Sequence, residues 1–155
     1  MSGSVDYAGK QRENVELHNT GLYNMHGPIS YPAGDAGLYE VTHNPADVGK
    51  FRAPTLRNVA ITAPYMHDGS VLTLEDVVEH YNAGGRTITS GPHAGAGADN
   101  PNKSELIRPL HLTDQEKKDL IEFLRSLTDK ELLTDPRFSD PWPQTSQLPT
   151  IHRGQ

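Results

Sequence analysis

The chain has 155 residues, no cysteine and a formal net charge of −6. Its length fits one domain. Its lack of thiols excludes disulfides, thiolate metal sites, iron–sulfur clusters and a cysteine nucleophile, its acidity opposes nucleic-acid binding by phosphate neutralisation, and no run of 18 apolar residues could span a membrane. Only 34% of residues are hydrophobic, while 14 Gly and 12 Pro make the chain loop-rich and short of core, which leaves its middle open to a cofactor, a partner domain or another subunit.

Residues 1–14 are polar and read as a flexible lead-in, without the apolar stretch of a signal peptide. From 15 to 49, turn residues interrupt the chain repeatedly. The segment NPADVGKF holds one helical turn, with Asn44 as cap and Pro45 at the first helical position. A short helix or extended segment at 54–61 ends at Pro64, and HDGS at 67–70 is a turn. Thr73 caps a helix over 74–82 on which Leu74, Val77, Val78 and Tyr81 follow the i, i+3, i+4, i+7 spacing of one apolar face, and Gly84 and Gly85 stop it. The Gly/Asn/Pro-rich loop 86–105 is long enough to suggest a functional or partner-contacting role. Thr113 and Glu116 form a capping box for a helix over 113–127, with Leu120, Ile121, Leu124 and Leu127 as its buried stripe. Pro136, Pro141 and Pro143 then break the chain, and 143–155 reads as a disordered tail.

Eight histidines invite a metal site, but no pair has the i, i+4 spacing of a helical zinc site and no HExxH occurs. His67, held in PYMHDG beside Asp68, suits a ligand, a proton-transfer group or a hydrogen-bonded loop residue. Tyr81 suits a core tyrosine with a satisfied hydroxyl or a phenolate ligand to iron. Arg52 and Arg57 flank APTL, where arginines contact surface and main chain, or recognise the carboxylates of a buried dianionic cofactor.

The run FRAPTLRNVAITAPYMHDG, a short helix, and then LTDQEKKDLIEFLRSL resemble the second haem domain of bacterial di-haem cytochrome c peroxidases and the related MauG proteins. LHNTGLYN resembles the segment that follows the haem attachment motif there, and YPAGDAGLYEVTHNPADVGKF and GPHAGAGADNPNKS resemble the MauG-like branch. The likeness covers 15–142 and implies a mainly α, cytochrome c-like C-terminal domain with long irregular loops, a fragment of a two-domain protein. The implied parent is a periplasmic, peroxide-dependent oxidoreductase that oxidises a protein or small donor by electron transfer. Its cofactors would be haem c and a calcium ion; its partners would be the N-terminal haem domain and a redox protein or small electron donor.

Residue by residue, the resemblance makes Tyr81 the axial ligand of the haem iron, where classical peroxidases carry Met. His67 becomes a catalytic group that positions or handles protons, Arg52 and Arg57 become propionate contacts, and the main-chain carbonyls of Thr62 and Pro64 become calcium ligands. A hard phenolate favours ferric and higher iron, whereas a thioether favours ferrous iron. The departure is the missing Cys-x-x-Cys-His: no covalent haem attachment can form in this chain. The expectation is therefore a piece that begins downstream of the motif and is inactive alone. Its apolar surface around Leu74, Val77, Val78 and Leu124 would lack a flat partner, leaving the chain marginally stable or prone to associate. The alternative is a haem-free, calcium-stabilised interaction module of cytochrome fold, and a mononuclear His/Asp metal enzyme ranks third.

Overall fold

The computed structural model describes residues 16–25, 31–32 and 34–139; the expected lead-in at 1–14 and tail at 143–155 lie outside them. In chain order the elements are β1 (Leu17–His18), α1 (Tyr39–Thr42), β2 (Phe51–Arg52), α2 (Leu74–Ala83), β3 (Thr87–Ile88), β4 (Gly95–Ala96), α3 (Asp114–Ser126) and α4 (Lys130–Thr134).

Two helices frame the molecule, and both start where the sequence predicts. The Thr73 hydroxyl accepts the amide of Asp76 at the start of α2, and Gly84, at φ 73°, closes its end with an amide bond back to the last turn. A side-chain-bearing residue there would strain the left-handed cap. α3 opens on the expected capping box, with the Thr113 amide donating to Glu116 Oε2 at 2.8 Å. The helices meet through Leu74 and Val78 of α2 and Ile121 and Leu124 of α3, joined by Leu22, Tyr23, Tyr65 and Val71 in one core. Each such aliphatic side chain contributes at most about 1.5–3 kcal/mol on burial.

This packing corrects one expectation. Leu74, Val78 and Leu124 are only 6%, 3% and 8% exposed, and Val77 packs against the same cluster. Because α3 lies across α2 and the Tyr65–Val71 turn closes the side, that apolar surface is covered by the chain's own residues. The cause given for marginal stability is therefore absent.

The remaining backbone is helical in frame only. Irregular segments outweigh the two long helices, so "mainly α" describes the scaffold rather than the bulk. Asn44 caps a 3-10 turn at Pro45–Asp47 as its spacing predicts, and the segment 54–61 resolves into a 3-10 turn at Val59–Ile61. β1 pairs antiparallel with β2, His18 opposite Phe51; β3 pairs with β4 and folds the long 86–105 loop back on itself. Buried amides stand in for sheet. Asn19 donates to the Val48 carbonyl at 3.0 Å and accepts the Gly21 amide at 2.9 Å; Asn100 donates to the Tyr23 carbonyl at 2.8 Å. They supply the pairing that buried loop backbone needs. The loop also sits hard against Gly21, since a Cβ on Gly97 would meet the Gly21 oxygen at 1.8 Å.

Candidate functional site

The turn that carries His67 is pinned at its base. Tyr65 and Val71 pair across it, both buried, and the Tyr65 hydroxyl donates to the Val59 carbonyl at 3.0 Å. At its tip Met66 takes φ 69°, a left-handed conformation that costs a non-glycine residue roughly 1–2 kcal/mol. The next residue, His67, sits in a nest of aromatic rings. Phe51 stacks on the imidazole at 3.9 Å and 14°, and Tyr31 lies near-parallel to it at 6.1 Å, with its hydroxyl 3.5 Å from Nε2, at the outer limit of hydrogen bonding. Burial lowers the His67 pKa, outweighing the pull of Asp68 and Asp35. The ring is therefore neutral near pH 7.

Asp68 faces the other way. It accepts the Tyr23 hydroxyl at 2.5 Å and the Ser70 amide at 3.0 Å. Burial alone would raise its carboxyl, but the bonds from Tyr23 and Ser70, with His67 close by, hold it below the usual carboxylate range. The same contact, added to burial, raises the Tyr23 phenol. Tyr31 and His93 both meet the Tyr23 ring edge-on at 5.5 Å. The Tyr23 phenol thus keeps its proton and donates it to an ionised Asp68 in a short, charge-assisted bond. Sequence reasoning missed Tyr23, Tyr31 and Phe51, which come together from distant positions; the aromatic residues of LHNTGLYN, of YPAGDAGLYE and of the run that begins at Phe51 were their only signal.

Tyr81 lies at the opposite end of α2. It is half-buried, lies outside the core cluster, and its hydroxyl has no hydrogen-bond partner among the described residues. Burial raises its pKa. Its neighbour His80, 5% exposed, meets it edge-on at 5.0 Å, and neither ring nitrogen of His80 makes a well-formed hydrogen bond, the Thr20 backbone lying near but poorly placed. Burial lowers the His80 pKa, with Arg86 acting in the same direction and the nearby Thr20 backbone opposing it. An unbonded, fully shielded imidazole is an exception to the rule that buried polar groups are paired. Nothing in the sequence marks His80 for this role, because apolar periodicity reports only the apolar face of α2.

The other predicted residues are dispersed. Arg52, on β2 beside Phe51, is exposed and forms no ion pair among the described residues. Arg57 is bound to Asp129 at 2.9 Å and ties the 3-10 segment to the start of α4. Thr62 and Pro64 are exposed, and neither of their carbonyls accepts a hydrogen bond from the described residues. Among the described residues no ring contact or hydrogen bond joins Tyr81 to His67, and no group of three or more His, Asp or Glu side chains could hold a metal ion. No described helix is long and apolar enough to cross a membrane.

No protein-family model matches the chain. Among curated proteins it is 44% identical over 106 residues to cytochrome-c peroxidase IdrP1 of Denitromonas iodatirespirans, which is 68% of this chain and 24% of that protein. It is 34% identical over 142 residues to the methylamine utilization protein MauG of Paracoccus denitrificans, 76% of this chain and 34% of the relative. The crystal structure of a MauG-like protein associated with microbial copper homeostasis superposes with a TM-score of 0.81 at 56% identity, over 88% of this chain and 42% of that one. The chain thus spans about a quarter to a third of the length of these curated relatives.

Proposed function

Because the chain belongs to the family of bacterial di-haem cytochrome c peroxidases and MauG proteins, we propose that it forms their C-terminal haem domain, with Tyr81 as an axial ligand of the haem iron. The observation that carries this reading is the Tyr81 phenol: half-buried, unbonded among the described residues and carried on the last turn of a capped helix. Of the residues present, Tyr81 would hold the iron through its phenol oxygen. With no cysteine in the chain, thioether tethers and any further ligand would come from outside these residues. Haem, when bound, supplies the one-electron chemistry by which the periplasmic parent would use peroxide to oxidise a protein or small donor.

The chain's own residues have narrower duties. Burial raises the Tyr81 phenol, which would be protonated when free and would give up that proton on binding a metal. His67, neutral and clamped by Phe51, serves as a fixed base. Arg52 is free to meet a propionate, whereas Arg57 would first have to leave Asp129. The carbonyls of Thr62 and Pro64, unused by the described residues, suit a calcium ion.

The test is a ferric haem titration of the full chain and of Tyr81→Phe. The expected result is a phenolate-to-iron charge-transfer band with proton release, both lost in the variant while its circular dichroism is unchanged. Identical spectra from the two proteins would sink the assignment. A second reading, a haem-free interaction module of the same fold, draws on the closed α2–α3 seam. It predicts that haem shifts neither spectrum.

A further inference from the structure

We propose that Tyr23 and Tyr31 are a redox-active tyrosine pair that yields single electrons to a strong oxidant while their phenolic protons pass to the two bases of the His67–Asp68 turn. The turn offers one base to each phenol: Asp68 Oδ2 lies 2.5 Å from the Tyr23 oxygen, and His67 Nε2 lies 3.5 Å from that of Tyr31. The tyrosine rings are 5.5 Å apart at 74°, close enough for an electron to pass directly between them. Tyr23 is 8% exposed, so a radical there is sheltered from solutes. Phe51, stacked on the far side of His67, holds the imidazole in place and takes no electron itself.

The balance is complete. Tyr23–OH, the Asp68 carboxylate and the oxidant become Tyr23–O•, the Asp68 carboxylic acid and the oxidant reduced by one electron. The O–H bond of Tyr23 breaks and an O–H bond on Asp68 forms. The pair goes from one negative charge to none, so oxidation relieves a partly buried charge. A phenol without a base would instead become a radical cation, which burial disfavours strongly. Asp68 is held in its ionised form by its bonds and is ready to accept. Tyr31 can refill Tyr23: its electron restores the Tyr23 phenol, which recovers its proton from Asp68, and the Tyr31 proton goes to His67.

The natural oxidant rests on the peroxidase reading above, but the site does not, and the test keeps them apart by using no haem. The full chain is flash-oxidised with photogenerated ruthenium(III) tris-bipyridine, and tyrosyl radical is followed by electron paramagnetic resonance and transient absorption. The unaltered chain should give a long-lived radical that forms more slowly in heavy water. Replacing both phenols, Tyr23→Phe with Tyr31→Phe, should remove that signal, and Asp68→Asn should slow its formation by about tenfold or more, the rate equivalent of losing one charge-assisted hydrogen bond. The chain has six tyrosines, so an unchanged, long-lived radical in the double variant would assign it elsewhere and overturn the proposal. Equal rates in heavy and light water overturn it too, on the unaltered chain, whatever the variants do.

Discussion

The Tyr65–Val71 turn and the last turn of α2 each carry a histidine next to a residue with a second titratable group, and they treat them in opposite ways. In the first, the side chains at the tip have company: Asp68 holds Tyr23 and Ser70, and His67 stacks on Phe51 with its Nε2 3.5 Å from the Tyr31 hydroxyl. In the second, neither ring nitrogen of His80 nor the Tyr81 hydroxyl has a bond among the described residues. A shielded polar group without a partner costs free energy. The His80 imidazole is one such group, while the Tyr81 hydroxyl beside it is only half-buried, so the described residues leave this region unfinished where they complete the first.

The sharpest way to break this contrast is at Gly97, whose close approach to Gly21 seats the strand of chain that ends in Tyr23. Gly97→Ala should cost about 3 kcal/mol in urea unfolding by overpacking, and a variant that unfolds like the parent would mean the loop does not brace the finished region. Removing one bond within that region should cost less. Tyr23→Phe should lose about 1 kcal/mol, reduced because Asp68 is partly exposed to water, again read from the urea midpoint.

Acid should act on the same region. The His67 pKa is lowered from its ordinary 6.5 in the folded protein, so the unfolded chain binds the proton first. The stability this contributes is complete above pH 6.5 and declines as pH falls below it toward the folded value. Asp68, lowered from 3.8, adds its own loss only as pH falls below that value. Thermal melts between pH 7 and 5 should therefore show a decline that is shallower in His67→Phe, with Asp68, Asp35 and Tyr31 as the titratable groups around it. Parallel slopes for the two proteins would mean the ring is not held neutral by burial. The smallest stability effect belongs to the unfinished region. Tyr81→Phe removes a hydroxyl that bonds nothing described, and should shift stability by no more than about 0.5 kcal/mol. A larger loss would reveal a partner for the phenol and weaken its reading as a free ligand.

Much of the frame was legible in the residues. Local chemistry decides helix ends, so Thr73, Thr113 with Glu116, and Asn44 with Pro45 announced their caps, and all three formed as spaced. The stripe of α3 was legible because apolar periodicity reports the buried face directly. The resemblance singled out Tyr81 and His67 by position in a motif, but no local rule could say what would surround them.

Tertiary structure alone decided the rest. Whether Leu74 and Val78 would face a cofactor or another helix depended on where α3 came to lie, a contact across more than forty residues. The encounter of Tyr23, Tyr31 and Phe51 with the His67–Asp68 turn depended on loops held by buried asparagines rather than by any periodic element. Short-range preferences set the helices because their bonds close within four residues; side chains that meet across the fold are placed by packing, which no single stretch of chain encodes.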